Sequence, residues 1–173
     1  GTNSYLVGEG EVALIDPGPD LEAHRAALMA ALRPGERIAV ILVTHAHLDH
    51  SPLARPLAAL TGAEVLAFGP ATAGRSAAME ALAARTDLGG GEGLDAGFHP
   101  DRLLGDGETV RGAWGGLEAI HPPGHLGGHL CFAWEQVCFS GDHAMGWASS
   151  LVSPPDGDMT DYMASLDRLA ARP

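Results

Sequence analysis

The 173-residue chain predicts an α/β (α+β) domain in which two β-sheets pack face to face with helices outside. Three observations carry that expectation. Residues 5–85 alternate strand-like and helix-like segments. Residues 102–140 are instead short strand-like runs joined by Gly-rich turns. Between them in character stands the run at 38–43, uniformly apolar and rich in β-branched residues, the mark of a strand buried on both faces.

Taken in order, residues 5–7 and 11–15 read as a hairpin around a "GEGE" turn. "DPGPD" breaks the second strand, and Asp20 is placed to cap a helix running to about residue 32. Ala23, Ala27, Leu28, Ala31 and Leu32 give that helix an apolar stripe. After "RPGER" and the strand at 38–43 come a helix over about 50–60, a strand at 64–67 and an alanine-rich helix over 71–85. "DLGGGEGLDAGFHPD", residues 87–101, reads as a flexible, glycine-dense connection rather than a lid. Strands follow at 102–104, 108–111, 117–121, 130–134 and 136–140, then a helix over 160–171. Residues 1–173 are expected to form a single domain. The chain starts almost inside a strand, without an initiator Met, and stops on a helix-like pattern. Both termini are therefore expected to be cut from a longer protein.

Composition narrows the function classes. Hydrophobic residues make up 46% and charged residues 18%, which is globular rather than disordered. The formal net charge of -12, with no basic run, repels nucleic-acid phosphates, so any such contact would be local. No apolar segment reaches the ~20 residues that span a bilayer. Cys131 and Cys138 make no disulfide framework and read as two small buried hydrophobes in a reducing compartment. A cytoplasmic location is expected.

The chemistry is concentrated in three strand exits. "THAHLDH" places His45, His47, Asp49 and His50 within six residues, directly after the buried strand. Imidazole is the commonest transition-metal ligand at neutral pH, and histidines at i and i+2 on one loop can address one ion. "AIHPPGHLGGHL" offers His121, His125 and His129 in a Pro/Gly turn, and "CFSGDHAMG" ends a strand in Asp142. Donors held at strand ends can converge while the sheets keep them rigid.

These three motifs, in this order, resemble the metallo-β-lactamase superfamily, as do the opening "NSYLV" and "ALIDPG" with Asp16. The resemblance covers about residues 3–167. It implies a four-layer αβ/βα sandwich with the metals at one edge between the sheets. It implies two zinc ions, the first held by His45, His47 and His125, the second by Asp49 and His50, with Asp142 bridging. One element departs: the family's last histidine for the second metal has no counterpart, since His143 does not match its position. That donor is expected beyond residue 173. His121 and His129 are not carried over as ligands; His129 is expected to bond backbone or a carboxylate. His24 and His99 are expected at the solvated surface.

Two adjacent divalent ions lower the pKa of a shared water and polarise the oxygen under attack. The implied activity is hydrolysis of an ester, thioester, amide or phosphodiester, with Asp49 both ligand and proton acceptor. His47 stands where the flavin-partnered di-iron relatives carry Glu. Residues 140–169 look most like the lactamase-β-like 2 and uncharacterised bacterial hydrolase branch, which makes a small molecule or single-stranded RNA the expected substrate. Glyoxalase II-like thioester hydrolysis, a mononuclear iron persulfide dioxygenase and a non-catalytic metal-binding scaffold are the alternatives.

Overall fold

The computed structural model describes residues 2–85 and 93–172. Five strands form the first sheet: β1 (Tyr5–Val7), β2 (Glu11–Ile15), β3 (Arg37–Leu42), β4 (Glu64–Ala67) and β5 (Arg102–Leu103), side by side in that order. β1 is antiparallel to β2, and the remaining pairings are parallel. The second sheet is antiparallel throughout: β6 (Thr109–Gly112), β7 (Gly115–Ile120), β8 (Cys131–Trp134) and β9 (Val137–Phe139). Helices α1 (Glu22–Ala31), α2 (Ala54–Thr61), α3 (Ala77–Ala83) and α4 (Met159–Ala170) complete the fold. Among the described residues no helix is long and apolar enough to cross a membrane.

Strand alternation sorts the core into two layers. Val12 and Leu14 of β2 face outward with Ile41 and Val65, where Leu28 of α1 and Leu57 of α2 cover them. Ala13 and Ile15 face inward, and with Val40, Leu42 and Leu66 they meet Leu117, Ala119 and Phe132 of the second sheet. Pairing steps from Val12↔Ile38 to Ala13↔Val40, so Ala39 is an extra residue in β3. That bulge puts Ile38 and Ile41 in one layer. Each large side chain buried this way contributes about 1.5–3 kcal/mol of transfer free energy.

The predicted strands are all present within one or two residues. The helices differ more, each for a local reason. Asp20 does not cap α1; Leu21 holds the N-cap position without a side-chain bond. Ala23, Ala27 and Ala31 are exposed, because the sheet takes up the larger Leu28, Met29 and Leu32 instead. α2 starts at Ala54 because residues 47–53 are spent on turns closed by His50 N–H to His47 C=O (2.9 Å) and Ala54 N–H to Ser51 C=O (2.9 Å). α3 begins only at Ala77, capped by Ser76. Upstream, Gly74 has a φ of +80°, and a Cβ there would lie 2.4 Å from the Gly127 carbonyl oxygen, so a continuous helix from 71 has no room.

Of the glycine-dense segment, residues 87–92 lie outside the described residues. Residues 93–101 are not a free connection. Leu48 N–H bonds Gly93 C=O (2.7 Å), Ser51 Oγ donates to Asp95 Oδ2 (2.8 Å), and Phe98 is buried. Of the two cysteines only Cys131 is buried; Cys138 is exposed on β9. A hydrogen bond from the Cys131 thiol draws the Cys138 thiol down to about 7.

Topology decides where the loops meet. β2, β3 and β4 run parallel, so their C-terminal ends share one edge, and β1, being antiparallel, starts there. In the second sheet, β7 and β9 end and β8 begins at the corresponding edge. Leu130 N–H bonds Thr44 C=O (2.7 Å) and ties the two edges together. Open α/β sheets present ligand sites at the carboxyl ends of their strands, and all three histidine- and aspartate-bearing motifs exit here.

Candidate metal centre

Three ring nitrogens face one another at this edge. His45 Nε2 lies 2.9 Å from His47 Nδ1, and His125 Nε2 lies 3.2 Å from each. For His125 and His45 the remaining contacts place the proton. His125 Nδ1 is 2.6 Å from the Leu151 carbonyl, an acceptor only, so Nδ1 holds the hydrogen and Nε2 a lone pair. The Thr44 hydroxyl gives its single proton to Asp16 Oδ2 (2.7 Å), so it accepts from His45 Nδ1 (3.0 Å), and His45 Nε2 is again a lone pair. Two lone pairs 3.2 Å apart repel, and a cation between them relieves that repulsion. A tetrahedral ion with bonds of about 2.0–2.1 Å would separate its nitrogen ligands by about 3.3 Å, close to the triangle observed. His45, His47 and His125 could therefore hold a metal ion.

A second donor group adjoins the first and shares His45 with it: His45, His50 and Asp142. His50 is buried, its Nδ1 donating to Asp16 Oδ2 (2.8 Å) and its Nε2 lying 3.3 Å from Asp142 Oδ1. Asp49, whose side chain is 56% exposed, stands further out, with Oδ2 3.6 Å from His50 Nε2. It lies at the rim of an open cleft of about 400 Å³ lined by His47, Leu48, His125, Asp142 and Leu151. The structure thus brings all six sequence-predicted residues to one edge, five of them in two tight groups and Asp49 at the mouth.

Other predicted placements divide. His121 is no ligand: its Nε2 bonds the Gly127 carbonyl (2.8 Å) and its ring stacks on Phe68. His99 is exposed as expected. His24 is only partly exposed, its Nε2 3.2 Å from Ser4 Oγ. His129 bonds neither backbone nor carboxylate through its ring. Both its nitrogens, and both of buried His143, lack a hydrogen-bond partner among the described residues. The ring of His129 stacks instead on His45 at 4.9 Å between centroids.

The residue that sequence reasoning undervalued is Asp16. Read as the end of a hairpin, it is the buried hub of the site, accepting from Thr44 N–H (2.7 Å), Thr44 Oγ1 and His50 Nδ1. A metal-ligating histidine typically gives its other ring nitrogen to such a carboxylate, which fixes its tautomer. An aspartate closing the apolar run in "ALIDPG" was the available signal, and in the fold it takes a φ of +50°. Turn chemistry also matters at Gly124, whose φ of +141° and close approach to the Tyr162 backbone leave no space for a Cβ.

Burial sets the charges. His47 is held down to about 4, first by burial and then by neighbouring His125. Burial likewise lowers His45 and His125. His50 goes the other way: burial opposes its charge, but the hydrogen bonds to Asp142 and Asp16 outweigh it and raise it to about 10. In the metal-free protein the unfolded chain takes up protons below 6.5 that folded His47 refuses until about 4, so stability should fall on acidification across that window. His50 contributes stability that is full below 6.5 and lost as pH rises through about 10. The chelator-treated protein should accordingly melt highest near pH 6.5; a melting temperature flat from pH 6.5 to 4.5 would contradict the burial of neutral imidazoles.

A layered α/β fold that gathers imidazoles and carboxylates at one sheet edge defines the class as a sandwich-fold protein with a candidate metal site there. The chain belongs to the metallo-beta-lactamase superfamily, whose family model it matches over residues 1–173. It is 30% identical to the lactamase-like protein aptB of Emericella nidulans, over 98% of this chain and 47% of that protein. It is 27% identical to the atrochrysone carboxyl ACP thioesterase AgnL7 of Paecilomyces divaricatus, over 99% and 47%. It thus spans about half the length of these curated relatives. Among solved structures, TTHA1623 in a di-iron-bound form is 29% identical with a TM-score of 0.73, covering 99% of this chain and 82% of that one. The fold class expected from sequence, the metallo-β-lactamase sandwich, is the one observed.

Proposed function

We propose that this chain carries a dinuclear zinc centre that hydrolyses an ester, thioester or phosphodiester bond of a small molecule. His45, His47 and His125 would hold the first ion, and Asp49, His50 and Asp142 the second. The observation that carries the reading is the mutual approach of three imidazole nitrogens, with the lone pairs of His45 Nε2 and His125 Nε2 facing each other. An imidazole-rich set with a few carboxylates suits zinc. Bound there, the ions would supply Lewis acidity toward the substrate oxygen and lower the pKa of the attacking water.

The chain's own residues do the rest. Leu151 C=O, Thr44 and Asp16 orient the rings of His125, His45 and His50 before any ligand arrives. Asp49, at the open cleft, is positioned to take the proton of the attacking water, and Leu48 and Leu151 offer apolar walls to the acyl group. The net charge of -12 favours a small, uncharged acyl substrate over single-stranded RNA. The thioesterase named among the relatives makes a thioester the first substrate to try. Cytoplasmic action fits a free, exposed Cys138.

A second reading keeps the site and changes the metal, since the di-iron-bound relative shows iron in a similar fold. Metal analysis of the purified protein, followed by a screen of acyl thioesters, esters, lactones, β-lactams and single-stranded RNA, tests both. Zinc with thioester or ester turnover is the expected result. Iron would move the metal assignment to the second reading, and metal-loaded protein inert toward every substrate would leave a scaffold.

A further inference from the structure

The second donor group looks one ligand short in the sequence, and the structure brings a side chain to it that the motifs do not contain. β1 starts where β2 ends, with Tyr5 opposite Ile15, so the residues just before β1 cross the edge that holds Asp16 and the histidines. Ser4 is pinned there by its contact with His24. Two residues earlier, the Thr2 hydroxyl donates a hydrogen bond to Asp49 Oδ2 and lies 3.3 Å from His50 Nε2. These are the atoms that would face the second ion.

We propose that Thr2 is a positioning residue that holds the Asp49 carboxylate toward the second metal position. The inference rests on the two-metal reading and deepens it. Asp49 sits on a half-exposed turn, where a lone aspartate samples several rotamers, and each must be given up on binding a metal. A hydroxyl has one proton, and here it goes to Oδ2, the oxygen that also faces His50 Nε2. Outer partners of this kind typically change metal affinity 10–100-fold when removed.

Metal titration of the chelator-treated protein decides it. Thr2→Val keeps the shape and loses the hydroxyl; it should weaken the second zinc equivalent by about tenfold or more and leave the first within about twofold. Thr2→Ser should restore it. Equal affinities in wild type and Thr2→Val, or a parallel loss of both equivalents, would overturn the proposal. A wild-type protein that takes up a single equivalent removes the two-metal reading itself and is recognised before any variant is made. In that event the NMR cross-peak between the Thr2 hydroxyl and Asp49 in the metal-free protein still decides the contact: its presence keeps Thr2 as the residue that orients Asp49, and its absence overturns that too.

Discussion

Asp49→Ala is expected to lower kcat for ester or thioester hydrolysis by about 10²–10⁴-fold while the protein keeps its melting temperature. The side chain is 56% exposed and belongs to no core cluster, so its removal opens no cavity. Its carboxylate stands at the mouth of the cleft, where an attacking water must pass its proton on. Asp49→Asn separates its two roles. The amide keeps an oxygen near the second metal position but is no proton acceptor, so it should fall nearly as far in kcat. Unchanged turnover in Asp49→Ala would remove Asp49 from the mechanism, and an active Asp49→Asn would leave it a ligand only.

The second large effect concerns His45. It is the one residue common to both donor groups, His45–His47–His125 and His45–His50–Asp142. His45→Ala should cost the first metal equivalent, as should His47→Ala and His125→Ala, and it should weaken the second, which His45 adjoins without belonging to the Asp49–His50–Asp142 set. Loss of one first-sphere imidazole from three leaves too few ligands for tight binding, and catalysis should fall to background. His45 is buried, so the variant is checked for folding by circular dichroism in the metal-free state, where wild type serves as the reference. Uptake of two tight equivalents by His45→Ala would remove His45 from the first set.

The legible part of this protein was the part written in local patterns. The run at 38–43 announced β3, and the change from strand–helix alternation to short strands announced two sheets. Helix starts were less legible, because Gly74 breaks a helical pattern only through its contact with Gly127, 53 positions away in sequence. The stripe on α1 was misread for a related reason: alanine fits the period, but the sheet selects Leu28, Met29 and Leu32 by the area they bury. His129 and His143 were set aside because neither falls at a ligand position. Their buried ring nitrogens, without a hydrogen-bond partner among the described residues, emerge only in the folded chain.

By itself the sequence determined the donor chemistry: which imidazoles and carboxylates exist, and that each leaves a strand end, since side-chain type and strand period are local properties. Tertiary structure alone decided how those donors are tuned. Asp16 reaches Thr44 across 28 residues, His125 reaches His45 across 80, and Thr2 reaches Asp49 across 47. A proton's place on an imidazole depends on the partner of its other nitrogen, and that partner is supplied by the packing of two sheets, not by the motif that carries the ring.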